Sequence, residues 1–270
     1  MKSRYSAYPY VIWMVIFTVV PLLLVAAFAI TDSSGAYTLE NISAVGEYTP
    51  VLMRSIWLAA IATVLCLVIA YPLAYILSRK TGSQQRTMLM LVMLPTWMNF
   101  LLRTYAWMTL LEKNGIINRL LGFIGLGPFE MINTQGAVVL GMVYDYLPFM
   151  ILPLYSIMTK IDNSVIEAAQ DLGASTPQIL RRVLIPLSMP GITTGITMVF
   201  VPAVSTFIIS RMLGGGGNLL IGDLIELQFL GNAYNPNLGA AIALVLMVLI
   251  LLCMSITNQF DGEDKEDMII

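Results

Sequence analysis

The sequence predicts an all-α, polytopic membrane protein with six transmembrane helices. Hydrophobic residues make up 58% of the 270 residues and charged residues only 11%, whereas a soluble domain carries about 25% charged residues. Six apolar segments are long enough to cross a bilayer, which takes roughly 20 residues. Because backbone groups in lipid must hydrogen-bond within their own segment, these segments should be helices. The segments are 9–30, 55–78, 88–111, 135–158, 188–211 and 238–257.

The composition also excludes several classes of function. The chain has no histidine, and its two cysteines, Cys66 and Cys253, lie inside apolar segments. Zinc sites built from cysteine and histidine, a Cys–His nucleophile and a disulfide framework are therefore not expected. The net charge of −2 gives no case for nucleic-acid binding. We find no nucleotide-binding or catalytic motif, so we expect no enzyme activity, no metal site and no cofactor in this chain.

The first apolar segment follows the short basic stretch MKSRYSAYPY and runs from Tyr10 to Ile30. It is long enough to span, and no small-residue cleavage site closes it before Thr31 and Asp32. We therefore interpret it as an uncleaved first transmembrane helix and not as a signal peptide.

Lysine and arginine predict the orientation. If the N-terminus is cytoplasmic, nine of them fall on the cytoplasmic side and four on the outer side, so both termini should be cytoplasmic. The segment 159–187 is then cytoplasmic, and the loops 31–54, 112–134 and 212–237 are outside. The nine are Lys2, Arg4, Arg79, Lys80, Arg86, Lys160, Arg181, Arg182 and Lys265, and the four are Arg54, Lys113, Arg119 and Arg211.

The cytoplasmic segment holds most of the stretch EAAQDLGASTPQILRRVLIPLSMPGI, residues 167–192, which runs on into the next predicted span. Ser164 and Glu167 have the spacing of a capping box at a helix start. Gly173 stands where a helix ends in a left-handed residue. Thr176 can cap a second helix that begins at Pro177. We predict two short helices that meet at a sharp bend.

Each of these two helices has an apolar side, which must pack against something. One alternative is the ends of the chain's own spans; the other is a groove in another protein. The apolar residues are Val165, Ile166, Ala169 and Leu172 on the first helix and Ile179, Leu180, Val183 and Leu184 on the second.

The spacing of this stretch resembles the EAA loop of bacterial ABC importer permeases of the MetI-like, binding-protein-dependent, type I family. That signature is EAA, three residues, glycine, nine residues and I-x-L-P. Here it appears as Glu167-Ala168-Ala169, Gly173 and Val183-Leu184-Ile185-Pro186, with two conservative departures. The resemblance implies that this EAA loop, residues 159–187, holds the helix that couples the permease to an ATPase.

The resemblance also implies the domain organisation and the partners. Residues 1–50 would be an added transmembrane helix and first outer loop, 51–257 the permease domain, and 258–270 an acidic cytoplasmic tail. The partners would be a second, similar permease subunit, a cytoplasmic ABC ATPase dimer that binds the ATP and Mg²⁺, an extracytoplasmic binding protein and membrane lipid.

Within the EAA loop, the resemblance assigns ATPase coupling to Glu167, Ala168, Ala169 and Gly173. The small alanines would let a partner approach closely, and Gly173 would allow the bend. Glu167 either caps its own helix or pairs with a basic residue of the partner. Arg181 and Arg182 lie at the lipid headgroups or contact the partner.

Two ionisable residues, Arg103 and Asp145, fall within predicted spans, where charge is costly and usually functional. They could form an ion pair that fixes span packing, or lie in the substrate path, or make separate contacts. Carboxylates beside aromatic faces suit organic cations, although aromatic residues also anchor spans at the interface. The aromatic candidates for the substrate path are Tyr105, Trp107, Tyr144 and Tyr146.

The last outer loop contains four glycines followed by a predicted short helix, 219–230. Asp223 and Glu226 are three residues apart on this helix. They either face the substrate or form a solvated outer surface. The outer segments carry seven acidic residues against four basic ones, which favours a cationic cargo through steering.

Five longer stretches resemble the spermidine/putrescine permeases of the PotB/PotH type and so imply a polyamine cargo. Importers of an amino acid, an iron chelate or a phosphonate remain alternatives. An ion-driven secondary transporter is a further alternative, but it would show internal repeats and discontinuous spans, which we do not find in the sequence. The stretches are 94–107, 147–156, 167–175, 185–192 and 214–230.

Overall fold

Helices form nearly all of the regular structure in the computed structural model, which describes residues 8–231 and 233–266, with side chains to Ser255. Predictions that rest on Lys2, Arg4, the Lys265 side chain and residues 267–270 lie outside that description. Two helical turns, Glu40–Ala44 and Val45–Tyr48, precede the second long helix. The helices are α1 Tyr8–Ala29, α2 Thr49–Ser78, α3 Gly82–Met93, α4 Phe100–Leu111, α5 Ile116–Phe123, α6 Gln135–Met158, α7 Asn163–Asp171, α8 Thr176–Leu187, α9 Met189–Val204, α10 Ile208–Gly214, α11 Ile221–Leu230 and α12 Pro236–Glu266.

Four of the six predicted spans are present as long apolar helices. They are α1, α2 with the turns before it, α6, and the part of α12 up to Ser255. The last helix continues to Glu266, so the helix extends into the stretch predicted as an acidic tail.

The predicted span 88–111 is not one helix. The chain forms α3 and α4, each of 12 residues and each too short to cross a bilayer alone. A tight turn at Leu94–Trp97 separates them, because Pro95 has no N–H to continue the helix. Asn99 then starts α4, and its side chain accepts a hydrogen bond from the Leu101 N–H at 2.9 Å.

The predicted span 188–211 is also interrupted. It divides into α9 and α10 at Ser205–Phe207, and α8 meets α9 at a bend of 71° beside Ser188. Prolines at 186 and 190 remove two backbone donors around that bend. The expectation that the chain lacks discontinuous spans is therefore wrong.

The core is built by α2, α6 and α9. A row of small residues along α2 is completely buried, so the helices approach closely, as is typical in membranes. On α9, Gly191 and Gly195 form a small-xxx-small pair against α6. A Cβ atom at Gly195 would lie 2.5 Å from Met150 Sδ. The buried small residues of α2 include Ala59, Ala62, Cys66, Ala70 and Ala74.

The three predicted outer loops meet at one end of the bundle, where side chains join them. The EAA loop lies at the opposite end, beside the end of α2. The loops therefore alternate between the two ends as the predicted topology requires. The joining contacts at the outer end are Arg54 Nη1 to Gly217 O at 3.1 Å, Asn218 Nδ2 to Asn133 O at 2.9 Å and Asn237 Nδ2 to Thr31 O at 2.6 Å.

Candidate functional site

The EAA loop begins its first helix, α7, with an aspartate cap. The Asp162 carboxylate accepts a hydrogen bond from the Ser164 N–H at 3.0 Å. The predicted cap at Ser164, with Glu167 reaching back to it, is wrong, because the cap is Asp162, two residues earlier, and the helix starts at Asn163. The hydrogen bond from the Ser164 N–H also lowers the pKa of Asp162, because it stabilises the ionised carboxylate.

The end of α7 has the left-handed glycine that the sequence predicts. Gly173 has φ +79°, and its N–H donates to the Gln170 carbonyl oxygen at 2.8 Å. The Ala174 N–H donates to the Ala169 carbonyl oxygen at 3.0 Å. These two bonds form a Schellman motif, which satisfies carbonyl groups that the helix end leaves free.

The second helix, α8, is capped by Ser175 and not by Thr176 as the sequence suggested. The Gln178 side chain accepts the Ser175 N–H at 2.7 Å, which completes a capping box. Both residues are good caps, and the S-x-x-Q spacing identifies Ser175 as the one that is used. Pro177 lies in the first turn, as predicted.

The apolar residues of the EAA loop divide between two faces. Ile179 and Leu184 are buried with Ile161 in a small cluster that Ile166 and Tyr75 of α2 help to cover. Val165 and Leu172 are instead exposed, the latter at 89%. The loop thus packs partly against its own spans and also presents apolar side chains outward, so each of the two predicted alternatives describes part of it.

The outward face of α7 carries the proposed coupling residues. Glu167 and Ala168 are exposed, and Ala169 is half-buried. Within the described residues, Glu167 makes no side-chain hydrogen bond or ion pair. A depression of about 280 Å³ lies at the bend and is lined by Ala169, Leu172, Gly173 and Arg182, among others. This face offers a free carboxylate, a leucine and a shallow recess side by side.

Arg103 of α4 and Asp145 of α6 form a buried ion pair. Arg103 Nη1 lies 3.2 Å from Asp145 Oδ1, and the side chains are 7% and 1% exposed. Thr104 also donates a long hydrogen bond of 3.4 Å to Asp145 Oδ2, and the Arg103 guanidinium lies over the Phe100 ring. Each buried charge compensates the other, because burying either one without its counter-charge would be strongly unfavourable.

The predicted aromatic candidates separate into two groups around this pair. Trp107 lies one turn after Arg103, on the same face of α4, and contacts the Tyr144 ring edge-on with 5.5 Å between centroids. Tyr146 is buried and donates to the Pro202 carbonyl oxygen at 3.4 Å. Tyr105 lies on the opposite face and is exposed. The structure brings Arg103, Asp145, Trp107 and Tyr144 together but not Tyr105.

Asp223 and Glu226 are separated by their contacts on α11. Asp223 is fully buried at the helix start, where its carboxylate accepts the Leu220 N–H at 2.8 Å. Burial raises the pKa of Asp223. Glu226 pairs with Arg211 of α10, whose hydrogen bond lowers the pKa of Glu226. Both carboxylates therefore have partners inside the chain.

Sequence reasoning missed Thr104 and Arg79. Thr104 is one of many threonines in helices, and its contact with Asp145 depends on how α4 meets α6. Arg79 reaches from the end of α2 to the EAA loop. Its position at a span end is ordinary, so no local signal in the sequence marks that contact.

The sequence is similar to those of known transport proteins. The family model described as "Binding-protein-dependent transport system inner membrane component" matches residues 85–261. The spermidine/putrescine transport system permease protein PotB of Haemophilus influenzae is 41% identical over 250 residues, which cover 89% of this chain and 87% of that protein. The protein of the same name from Escherichia coli is 38% identical, over 87% of this chain and 89% of that protein.

Two solved structures show the same fold. A bacterial ABC transporter involved in the import of the acidic polysaccharide alginate superposes with a TM-score of 0.81 at 16% identity, covering 96% of this chain and 94% of that one. The MetNI methionine ABC transporter, in an inward-facing conformation, gives a TM-score of 0.59 at 19% identity, covering 80% and 95%. The chain belongs to the family of binding-protein-dependent transport system inner membrane components, the MetI-like permeases of ABC importers.

Proposed function

We propose that this permease imports polyamines, spermidine or putrescine or both. The observation that carries the proposal is the identity of 38–41% over nearly the whole chain with permeases named for spermidine and putrescine transport. The chain would form half of the pore and would catalyse no bond-making reaction itself. Its membership of a binding-protein-dependent family argues against an ion-driven transporter, although it has the interrupted spans expected there.

The chemistry of the buried centre supports a cationic cargo. Polyamines are flexible chains with an ammonium group at each end, which carboxylates and aromatic faces can bind. Asp145 is the carboxylate within the spans, and Trp107 and Tyr144 lie around it. In this structure the Asp145 carboxylate is already paired with Arg103. A cargo ammonium would reach this carboxylate only if the helices α4 and α6 moved apart.

The remaining candidates would have supporting roles, around the buried centre and at the outer end of the bundle. Tyr105 presents an exposed ring on the other side of α4. Tyr146 would support the centre through its bond to α9. Asp223 and Glu226 would shape the mouth by fixing α10 and α11, and their charge would add to the negative field of the outer loops that attracts cations.

The outward face of α7 would dock into an ATPase subunit. Glu167 is free to pair with a basic residue of that subunit, Ala168 allows close approach, and Leu172 supplies an apolar contact. The ATPase dimer would bind ATP and Mg²⁺, so the permease needs no cofactor of its own. The other partners would be a second permease subunit and an extracytoplasmic polyamine-binding protein, with both termini of this chain in the cytoplasm.

Uptake of labelled spermidine and putrescine tests the cargo. We would compare cells that lack the chain, cells complemented with it, and cells that carry Gly173→Val at equal membrane levels. Valine strongly disfavours φ +79°, so we expect rescue by the wild type and none by Gly173→Val. Gly46→Ala is the control, because its Cβ meets nothing within 4 Å.

The outcomes separate cargo from coupling. Rescue by the wild type with failure of Gly173→Val supports both proposals. If deletion leaves the uptake of both polyamines unchanged in a strain without other polyamine importers, the proposed cargo is wrong. Competition by unlabelled amino acid, iron chelate or phosphonate would instead identify one of the other cargo classes.

A further inference from the structure

A second feature of the cytoplasmic end connects the EAA loop to the core. Arg79 directly follows α2, and its guanidinium reaches Ile161, which precedes α7, and Asn163, the first residue of α7. Nη1 donates to the Ile161 carbonyl oxygen at 3.0 Å and also to Asn163 Oδ1. The guanidinium lies over the ring of Tyr75, at 5.3 Å from its centroid. One side chain of α2 thus holds the point where α7 begins.

The residues held by Arg79 determine where α7 points. Ile161 is part of the buried cluster of the EAA loop, and Asp162 is the cap of α7. Among the residues that the structure describes, the only other side chain outside 159–187 that hydrogen-bonds into the loop is that of the adjacent Ser188, which donates to carbonyl oxygens at the end of α8. Tyr75 adds an apolar contact from the last turns of α2. The polar attachment between the start of α7 and another helix therefore depends on Arg79.

The helix that carries Arg79 runs through the centre of the bundle. α2 packs along both α6 and α9, and its buried face includes Ala62, Cys66 and Ala70. A displacement of the α2 end would therefore act on both central helices, because close-packed interiors have low compressibility and transmit strain.

The attachment also allows rotation. Both hydrogen bonds come from the single nitrogen Nη1, whereas Nε and Nη2 are buried without a hydrogen-bond partner within the described residues. A link through one nitrogen lets α7 tilt relative to α2 without losing the attachment. Lysine has a single point-like donor group without the planar stacking surface, so it would reproduce this contact only in part.

We propose that Arg79 is a positioning residue for energy coupling, which ties the start of the coupling helix α7 to α2. When the ATPase moves α7, Arg79 carries that displacement to α2 and so to the core. This proposal rests on the proposed function of the EAA loop as the contact for an ATPase, but not on the identity of the cargo.

Pulsed electron paramagnetic resonance on the assembled importer in lipid nanodiscs tests the attachment directly. Spin labels would replace Lys80, next to the end of α2, and Asp171, at the end of α7; both positions are exposed. Cys66 and Cys253 would be replaced by alanine in all samples. We expect a narrow distance distribution in each state, with and without ATP, whose mean follows the tilt of α7, and a clearly broader one in Arg79→Ala. Arg79→Lys should lie between them.

The control is Arg86→Ala, which removes an exposed arginine from a segment that is also predicted to be cytoplasmic. It should leave the distribution unchanged. An equally narrow distribution in Arg79→Ala and the wild type would overturn the proposal.

A transport measurement separates coupling from mere stability. In proteoliposomes with the binding protein, we expect Arg79→Ala to retain most ATP hydrolysis but to move about tenfold less cargo per ATP. Equal losses of hydrolysis and uptake, in proportion to the amount of ATPase that co-purifies, would show a structural role and overturn the proposal. If the wild type hydrolyses ATP but moves no polyamine, while Arg79→Ala still broadens the distance distribution, the cargo proposal fails and the attachment stands.

Discussion

The EAA loop and the buried centre around Asp145 are both polar interruptions of an apolar chain, yet they are built in opposite ways. Every capping contact of the loop joins residues within five positions of each other, such as Ala174 and Ala169. The ion pair of the centre joins positions 103 and 145. A short motif can therefore encode the geometry of the EAA loop. The ion pair, in contrast, forms only once the helices have assembled.

The largest effect of a substitution is expected at the buried centre around Asp145. Asp145→Asn leaves the buried Arg103 without its counter-charge, and we expect a loss of about 3–5 kcal/mol in stability. Thermal unfolding of the purified complex measures it. The double change Arg103→Gln with Asp145→Asn should recover much of that loss, because no lone charge remains buried. Additive losses would show that the two residues do not interact.

The same double variant separates two roles of the pair. Recovery of stability together with uptake would make the pair a packing element. Recovery of stability without uptake would place Asp145 in the substrate path.

A smaller effect is expected where α9 contacts α6. Gly195→Ala places a Cβ atom 2.5 Å from Met150 Sδ, and overpacking of this kind costs about 1–3 kcal/mol. We expect a lower unfolding midpoint and no change for Gly46→Ala, which has open space. Equal midpoints in the two variants would show that Met150 moves aside at no cost.

In the EAA loop, the expected cost is confined to the bend. A residue other than glycine in the left-handed conformation costs about 1–2 kcal/mol, and asparagine tolerates it better. No neighbouring atom lies within 4 Å of a Cβ at Gly173, so only backbone conformation matters. Uptake at equal membrane level should fall in the order Gly, Asn, Ala at this position. A ranking by side-chain size, with asparagine lowest, would contradict this explanation.

The smallest effect concerns the cap of α7. The folded pKa of Asp162 is lower than its unfolded value, so the cap contributes fully above the ordinary aspartate pKa of about 3.9 and is lost as the pH falls through the folded value. A spin label at Asp171 should become more mobile in that acidic range. Asp162→Asn keeps a capping oxygen and should show no such step. The same step in both variants would assign it to another group.

The difference between the two regions explains what the sequence could predict. The bend at Gly173 is confirmed, since a left-handed glycine and the residues around it form a local pattern. The caps at Ser164 and Thr176 were off by one or two residues, because neighbouring polar residues compete for the same role. The four continuous spans follow from hydropathy alone.

The interrupted spans show the limit of hydropathy. Pro95 is a typical helix breaker and Asn99 a typical helix cap. A count of spans from hydropathy ignores both residues, because 88–111 is apolar as a whole. The contact of Trp107 with Tyr144, and the separation of Tyr105 from both, depend on helix faces that meet only in the assembled bundle. The burial of Asp223 likewise depends on the packing of α11 against α10 and α12.

The small cluster of Ile161, Ile179 and Leu184 has a consequence for the kinetics of assembly. A segment that already holds its shape before a partner arrives loses little conformational entropy on binding. An ATPase subunit docking on α7 would therefore find a surface ready to receive it, and association would need no folding step. Loosening this cluster, for example by Ile179→Ala, would weaken docking through disorder in the free permease, with every residue that touches the partner left intact.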